Sequence, residues 1–233
     1  MRIRFIALIM VWGLLPNHLQ ASPVELIVNG SFEDLNIMDF WNGRQPSADD
    51  ILSGTPGYWA QLQAGNTEMP GWTVTQGNID IVGIEWPAFD GSQSIDLVGY
   101  VLGGLQQTFS TTPGAAYHLS FEYGNNPSNG GGTAQIDLIG QSTLFSDTIG
   151  HYNSGNPNLN WVNYTSDFVA DSNSTTLRFT ALTKTNSGGI VLDTVSVVQN
   201  VPEPASVIIT ASGLVLLGFR RWSSRKVTLC KPF

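Results

Sequence analysis

The stretch "TTLRFTAL", residues 175–182, alternates apolar and polar side chains with a period of two residues. Successive side chains of an extended chain point to opposite faces, so Leu177, Phe179 and Ala181 share one face. The stretch "YHLSFEYG", residues 117–124, has the same alternation. Both patterns predict β-strands that bury one face in a hydrophobic core and turn the other face toward water.

Short runs of strand character recur along the central part of the chain, between turn signals rich in Gly, Pro and Asn. They include "ELIV", "GWTV", "IDIVGI", "SIDLVG", "LQQTFS", "AQIDLIG", "WVNYTSDFVA" and "IVLDTVSVV". Many short strands separated by turns predict one all-β sandwich or barrel, which we place at residues 22–200. Residues 34–67 have little strand character and are predicted to form a long insertion.

Residues 1–21 have the organisation of a secretory signal peptide. Arg2 and Arg4 precede an apolar run over residues 5–15, and a polar stretch then leads to the small residue Ala21. The apolar run is short for a bilayer, which requires ~20 residues of helix. The pattern therefore predicts export, with an apolar N-terminal core helix as the alternative.

Residues 201–226 combine a Pro-Glu-Pro stretch, an uncharged apolar run and a basic cluster. The apolar run covers residues 205–219 and is short for a bilayer span, for which ~17 residues is the lower limit. The basic residues are expected to stay cytoplasmic, with residues 227–233 as a short cytoplasmic tail. We predict a body exported across the cytoplasmic membrane and held transiently by the C-terminal helix. A permanent single-span anchor is the alternative.

The exported body is strongly acidic. Between residues 22 and 200, three cationic side chains (Arg44, Arg178 and Lys184) stand against seventeen carboxylates, a formal charge of −14. Such a surface repels nucleic acid and makes divalent cations plausible partners. The alternative is that the acidic surface only keeps the protein soluble and binds nothing. The only cysteine is Cys230, so the body has neither a disulfide nor a cysteine nucleophile.

The C-terminal segment resembles the PEP-CTERM sorting signal of Gram-negative bacteria. The resemblance rests on Pro202, Glu203 and Pro204, the apolar run, and then Arg220 and Arg221. It implies that a membrane exosortase recognises the motif and removes the helix and tail. The body would then reach the cell surface or the extracellular space. The seven residues "VTLCKPF" form a longer tail than is usual for such signals.

The body resembles the choice-of-anchor C group, which is similar to a domain of unknown function also found in plant cell-wall proteins. The resemblance rests on the order of "ELIVNGSFE", "PGWTVTQGNIDIVG", "DGSQSIDLVG", "GGLQQTFSTTPGAAYHLSFEYGNN" and "GGIVLDTVSVV". It implies a jelly-roll β-sandwich like those of galactose-binding and carbohydrate-binding modules. It implies no established enzymatic activity.

The same resemblance implies a structural calcium ion where the first and last strands meet. Glu33 and Asp193 match the family's acidic positions there, and Asp34 is a lesser candidate. Carboxylates and carbonyl oxygens are the ligands that calcium prefers. The alternative is that Glu33 ends a strand in water and Asp193 caps a turn.

The sequence predicts no catalytic residues. His118 points outward on a predicted strand, and His151 is placed in a Gly- and Asn-rich loop. Neither a nucleophile elbow nor a pair of histidines at metal-ligand spacing occurs. Two of the seventeen carboxylates would suffice for a glycosidase, so a carbohydrate-active enzyme stays open as an alternative.

Aromatic residues in loop-like segments are the candidates for ligand binding, because function concentrates in loops. These residues are Trp41, Tyr58, Trp59, Trp86 and Tyr100, whereas Trp72 and Trp161 are predicted to lie in the core. The stretch "GIEWPAFDG", residues 83–91, is the preferred ligand site. There Trp86, Asp90 and Glu85 would face the ligand. The alternative is that the aromatic side chains of the loops pack as lids over the core and bind nothing.

These patterns together predict an exported, non-enzymatic surface or extracellular-matrix protein. It would interact with extracellular polysaccharide and be processed at its C-terminus by an exosortase. The first alternative is a carbohydrate-active hydrolase or lyase. The second is a structural matrix protein with no discrete ligand.

Overall fold

The computed structural model describes residues 23–34, 59–83 and 85–200, which form two β-sheets packed face to face. The predicted signal peptide, sorting signal, C-terminal helix and tail lie outside these residues, as do Trp41 and Tyr58. Eleven strands occur in the described part of the chain: β1 (Trp59–Gln63), β2 (Thr73–Gln76), β3 (Asn78–Val82), β4 (Ser94–Asp96), β5 (Gly104–Ser110), β6 (Ala116–Asn125), β7 (Gly132–Ile139), β8 (Thr143–His151), β9 (Val162–Val169), β10 (Ser174–Lys184) and β11 (Ile190–Gln199).

The six-stranded sheet has the order β1-β3-β4-β11-β6-β9, and the five-stranded sheet has the order β2-β5-β10-β7-β8. Every strand pairing recorded for the two sheets is antiparallel. This arrangement confirms the predicted all-β sandwich. Within the described residues, no helix is long and apolar enough to cross a bilayer.

The core between the sheets follows the period-two alternation of the central strands. On β10, Leu177 and Phe179 are fully buried, whereas Arg178 lies on the outer face and bonds to Gln106. On β6, the same pattern buries Leu119 and its apolar neighbours. The prediction drawn from both stretches is therefore confirmed.

A chain of aromatic rings joins the two sheets and the N-terminal segment. The ring of Phe179 lies 5.1 Å from that of Phe121 across the core, in an edge-to-face arrangement, and 6.5 Å from that of Trp72. Trp72 is buried, as predicted, and its indole Nε1–H donates to the carbonyl of Asn29 at 3.0 Å. Residues 23–34 are thus held against the core by this part-buried hydrogen bond and by Phe32 packing on Trp72.

Two local predictions were wrong. The stretch "ELIV" forms a single isolated bridge, between Glu25 and Val198, in place of a full strand. The predicted insertion over residues 34–67 contains β1, so Trp59 belongs to a strand and not to a loop.

Strand β8 was not predicted at all. It lies at the edge of the five-stranded sheet, where most of its side chains are exposed, so burial imposes little alternation on its sequence. Its last residue is His151, which is buried at the end of this strand and not in a loop.

Substitution of Phe179 by alanine tests the core assignment. Because the ring is fully buried between the sheets, we expect a loss of about 3–5 kcal/mol in the free energy of unfolding. Arg178→Ala, on the opposite face of the same strand, should cost less than about 1 kcal/mol. Urea denaturation of both variants measures the difference, and equal losses would contradict the strand's orientation.

Candidate functional site

The outer face of the six-stranded sheet carries carboxylates at its centre. Ile79 and Ile81 of β3 and Ile95 of β4 face the core, so alternation places Asp80 and Asp96 on the opposite face. The antiparallel register sets these two aspartates directly beside each other on neighbouring strands.

Asp96 is completely buried and anchors the turn beside the sheet. Its carboxylate accepts hydrogen bonds from Nδ2 of Asn126 at 2.8 Å and from the main-chain N–H of Val98 at 2.9 Å. The side-chain oxygen of Asn126 in turn accepts the N–H groups of Ser128 and Asn129. Burial, with a smaller contribution from the charge of Asp80, raises the pKa of Asp96 well above its ordinary value.

A pocket of about 180 Å³ opens above Asp80. Its lining combines aromatic side chains, carboxylates and amides: Trp59, Asp80, Val82, Glu85, Trp86, Gly99, Tyr100, Asn126, Asn129 and Ser187. Gly99 lies close to this carboxylate: a Cβ atom there would lie 2.5 Å from Nε2 of Gln61 and 2.8 Å from Oδ1 of Asp80, so a larger residue would have to displace these side-chain ends. The missing side chain keeps Asp80 accessible from the pocket.

The two pocket carboxylates have acceptor capacity to spare. Oδ1 of Asp80 accepts only a long hydrogen bond from Nε2 of Gln61, at 3.3 Å. Its Oδ2 and both oxygens of Glu85 accept no hydrogen bond from the described residues. Burial raises the pKa of Asp80 to about 7 and also raises that of Glu85. Desolvated acceptors of this kind are stabilised by a ligand that donates hydrogen bonds.

A second apolar cluster forms one wall of the pocket. It consists of Val82, Trp86, Leu159 and Val191, with Trp59 and Trp161 partly buried against it. Trp86 is only 3% exposed, and its Nε1–H donates to Oγ of Ser94 at 3.1 Å. Of the residues predicted to face a ligand, Trp86 and Glu85 line this pocket, while the side chain of Asp90 is exposed and does not.

The loop that carries Glu85 and Trp86 is held down by Asp193 of β11. The Oδ2 atom of Asp193 accepts the main-chain N–H groups of Phe89 at 2.8 Å and Asp90 at 3.1 Å. Its Oδ1 accepts the N–H of Thr194 at 2.7 Å. Burial raises the pKa of Asp193 to about 7, although these N–H donors oppose the shift.

Glu33 holds the other end of the same loop. Its Oε1 accepts the N–H groups of Ser92 at 2.8 Å and Gln93 at 2.7 Å, and its Oε2 accepts the hydroxyl of Ser92. Gly91 has a φ of 66°, and a Cβ there would lie 2.6 Å from Oε1 of Glu33. We call residues 85–93, fixed by Asp193 and Glu33, the clamped loop.

The predicted calcium ligands therefore lie at one loop, but they make a poor donor set for calcium. Oε1 of Glu33 and Oδ2 of Asp193 each already accept two N–H groups, whereas calcium takes six to eight oxygen ligands. The main-chain N–H of Asp34 donates to Oδ1 of Asn29, and the Asp34 side chain is exposed. Among the described residues, no group of three or more His, Cys, Asp and Glu side chains has the arrangement of a metal site.

Neither histidine of the described body lines the pocket. His118 points outward, as predicted, and its Nδ1 lies 2.8 Å from Oδ1 of Asp167. His151 is buried, with its ring nitrogens 2.6 Å from Oδ1 of Asn125 and 3.0 Å from the carbonyl of Asn160. Burial lowers the pKa of His151, which accords with a neutral, structural side chain.

The sequence did contain a signal for Asp80 and Asp96 that was not used. Both lie in the same local pattern, "IDIVG" at residues 79–83 and "IDLVG" at residues 95–99. Each pattern is apolar apart from one aspartate, and nearly every residue of its strand is buried. Because an ionised side chain is expensive to bury, such an aspartate marks a position where the sheet meets polar partners or a ligand.

The fold is a two-sheet β-sandwich with a pocket on the outer face of one sheet, lined by residues of strands and loops. The chain belongs to the family described as "Protein of unknown function (DUF642)", whose model matches residues 25–198. It is also 31% identical over 183 residues to halomucin of Haloquadratum walsbyi (strain DSM 16790 / HBSQ001). That match covers 77% of this chain but only 2% of halomucin.

Solved structures with a distant likeness include three carbohydrate-binding modules, each with a TM-score of 0.40. "CBM4 structure and function" is 17% identical and covers 75% of this chain and 99% of its own. A family 35 module from Clostridium thermocellum is 15% identical, and the match covers 60% of this chain and 98% of that module. TmCBM61, in complex with β-1,4-galactotriose, is 12% identical, and the match covers 68% of this chain and 100% of that module.

Removing the carboxylate of Asp193 tests its structural role. Asp193→Ala leaves three N–H groups without their acceptor, so we expect a loss of about 2–4 kcal/mol in the free energy of unfolding. Asp167→Ala removes an exposed carboxylate with a single histidine partner and should leave stability unchanged within error. Urea denaturation compares the two variants.

The same variants decide between a clamp and a calcium site. Oδ2 of Asp193 and Oε1 of Glu33 each accept two N–H groups already. We therefore expect the wild-type Tm to be the same in calcium and in excess chelator. A calcium-dependent rise in Tm that Asp193→Ala abolishes would contradict this and support the sequence-based calcium prediction.

The raised pKa of Asp80 predicts a pH dependence of stability. A carboxyl whose pKa is raised to about 7 on folding contributes its full stabilisation below the unfolded-state pKa of ~4, and this stabilisation is lost as the pH rises from there to about 7. Asp80→Asn removes the titration, so the fall in unfolding free energy from pH 5 to pH 8 should shrink by roughly 1–3 kcal/mol. An unchanged fall in urea denaturation at the two pH values would refute the assignment.

Proposed function

We propose that the protein is a non-enzymatic, glycan-binding module whose ligand enters the pocket above Asp80. The observation that carries this proposal is the lining of that pocket. Aromatic side chains stand beside carboxylate oxygens that the described residues leave without hydrogen-bond donors. A sugar supplies both missing partners, because its hydroxyl groups donate hydrogen bonds and its C–H faces are apolar.

The aromatic residues and the acceptors complement a sugar ring in different ways. Tyr100 is 62% exposed and Trp59 is partly buried, so both offer ring surface at the pocket. Aromatic rings with a polar group are suited to sites where one end is apolar and the other is wet. Asp80 and Glu85 supply charge-assisted acceptors, which form stronger hydrogen bonds than neutral ones.

Pocket size and charge narrow the ligand further. The volume of about 180 Å³ is below the ~300–1,000 Å³ typical of pockets for drug-sized ligands, so the pocket accommodates one sugar unit and not a large group. The formal charge of −14 over residues 22–200 disfavours strongly anionic polysaccharides. The proposed ligand is therefore a neutral extracellular polysaccharide.

We further propose that the protein is an exported member of the choice-of-anchor C group with a jelly-roll fold. Support comes from the order of motifs along the body, the signal-peptide pattern of residues 1–21, and the PEP-CTERM-like segment. In this proposal an exosortase recognises Pro202, Glu203 and Pro204, with Arg220 and Arg221 following the helix. The final location is the cell surface or the extracellular medium.

A carbohydrate-active hydrolase is the second candidate, favoured by one observation. Asp80 and Glu85 line the same pocket, and burial raises the pKa of both carboxyls. A raised pKa suits a general acid, and glycoside hydrolases use a pair of carboxyl groups. This candidate requires turnover, which the binding proposal does not.

Binding of neutral oligosaccharides tests the proposed function. We expect the purified protein to bind at least one member of a panel of gluco-, galacto-, xylo- and manno-oligosaccharides in calorimetry. At pH 8, above the pKa of about 7 of Asp80, Asp80→Asn should weaken that binding at least tenfold, because the substitution then removes a charged acceptor in a desolvated site. Asp137→Asn, the same change on the outer face of the other sheet, should leave the affinity unchanged.

The outcomes separate the candidate functions. Binding that neither Asp80→Asn nor Trp59→Ala weakens would place the ligand elsewhere on the protein. Hydrolysis of the bound glycan that Glu85→Gln abolishes would replace the module by an enzyme. Failure of every oligosaccharide to bind would favour a structural matrix protein.

A further inference from the structure

An exposed aromatic side chain, Phe89, packs on Trp161 next to the pocket. Trp161 was predicted to lie in the core, but it is only partly buried. Phe89 is 51% exposed, and its ring centroid lies 6.1 Å from that of Trp161, in an edge-to-face arrangement. Val162, which follows Trp161 on edge strand β9, is 39% exposed. A single exposed apolar residue is common on protein surfaces. Here, however, the exposed ring of Phe89 packs on the partly buried ring of Trp161. We call Phe89 and Trp161 the aromatic platform.

The platform is held rigidly from below. The main-chain N–H of Phe89 bonds to the buried carboxylate of Asp193, which fixes the backbone that carries the exposed ring. Trp161 packs on the second apolar cluster, together with Trp86 and Leu159. A pre-organised surface loses little conformational entropy when a ligand binds to it.

The platform is continuous with the pocket. Trp86 lines the pocket and belongs to the cluster that supports Trp161. Phe89 follows Trp86 by three residues, so their Cα atoms are at most ~11 Å apart. Nδ2 of Asn156 donates to the carbonyl of Glu85 at 3.1 Å, which ties the loop before Trp161 to the clamped loop.

We propose that the aromatic platform is a second sugar-binding subsite and that the ligand is an oligosaccharide chain lying along the clamped loop. This inference rests on the proposed function of the pocket. One sugar unit occupies the pocket, and a following unit stacks on Phe89 and Trp161. The exposed side chain of Asp90, predicted from the sequence as a ligand contact, accepts hydrogen bonds from that second unit.

The surroundings of the platform suit a sugar chain. The loop that precedes Trp161 is rich in exposed amide side chains, which are Asn153, Asn156, Asn158 and Asn160. Amides both donate and accept hydrogen bonds, as hydroxyl groups do. A small aromatic surface bordered by amides and one carboxylate therefore matches alternating apolar and polar parts of a neutral glycan.

The dependence of affinity on chain length tests the proposal. Full-length protein is titrated with gluco-, galacto-, xylo- and manno-oligosaccharides of one to six units. For the series that binds, we expect affinity to rise at least tenfold between one and three units and then level off. Phe89→Ala should remove most of that rise while leaving the affinity for the single sugar unchanged. The residue is exposed, and an unchanged Tm confirms that the variant folds.

Two further variants serve as comparisons. Asp90→Asn should reduce the gain from chain length by a smaller factor than Phe89→Ala. Val169→Ala removes an exposed apolar side chain from the other end of β9, about 23 Å along the strand, and should have no effect.

Each outcome bears on one of the two proposals. Affinity independent of chain length, or a gain that survives Phe89→Ala, overturns the second subsite and leaves the pocket intact. Loss of single-sugar binding in Phe89→Ala also overturns it, because the two sites would not be separate. If no oligosaccharide binds to the wild-type protein, the proposed function fails and the subsite fails with it.

Discussion

The hydrogen bonds of the buried Asp193 carboxylate are the interaction on which the pocket side of the molecule depends. This carboxylate accepts three main-chain N–H groups, two of them from the loop that crosses the outer face of the six-stranded sheet. That loop supplies both a wall of the pocket and the exposed ring of Phe89. Burying the carboxylate is costly, as its raised pKa shows, and only the N–H donors offset the cost. The geometry of the loop is therefore tied to the protonation and hydrogen bonding of one side chain.

The two sheets serve different purposes because their outer faces differ. The five-stranded sheet turns polar side chains such as Arg178, Asp137 and Ser146 toward water in a cross-strand row. The six-stranded sheet is covered by loops, and the aspartates at its centre are desolvated. A polar row in water needs no partner, whereas desolvated carboxylates do. This contrast is the reason for which the proposed ligand site is assigned to the six-stranded sheet.

The parts of the fold set by local alternation were predictable, and the parts set by distant contacts were not. Strands β6 and β10 alternate cleanly because each has one buried and one exposed face. Edge strand β8 lacks that constraint, and its sequence gave no comparable signal. In the site, local reasoning selected Glu85 and Trp86 but passed over Asp80, whose environment depends on the neighbouring strand. Glu33 and Asp193 were singled out by resemblance. Their hydrogen bonds to the clamped loop, however, join residues 59 to 104 positions apart in sequence, which local patterns do not reveal.

The bridge between Glu25 and Val198 has a mechanical consequence. Antiparallel pairing at this point, with Leu26 also bonded to Val197, sets the first and last described residues of the body side by side. A pulling force applied to these two flanks acts at the same end of the paired segments. It therefore peels the N-terminal segment away one hydrogen bond at a time and does not shear many bonds at once. Under tension, the pairing of Glu25 and Leu26 with the last strand would open first, and the buried ring of Phe32 would then be the barrier that keeps Glu33 on the loop over the pocket.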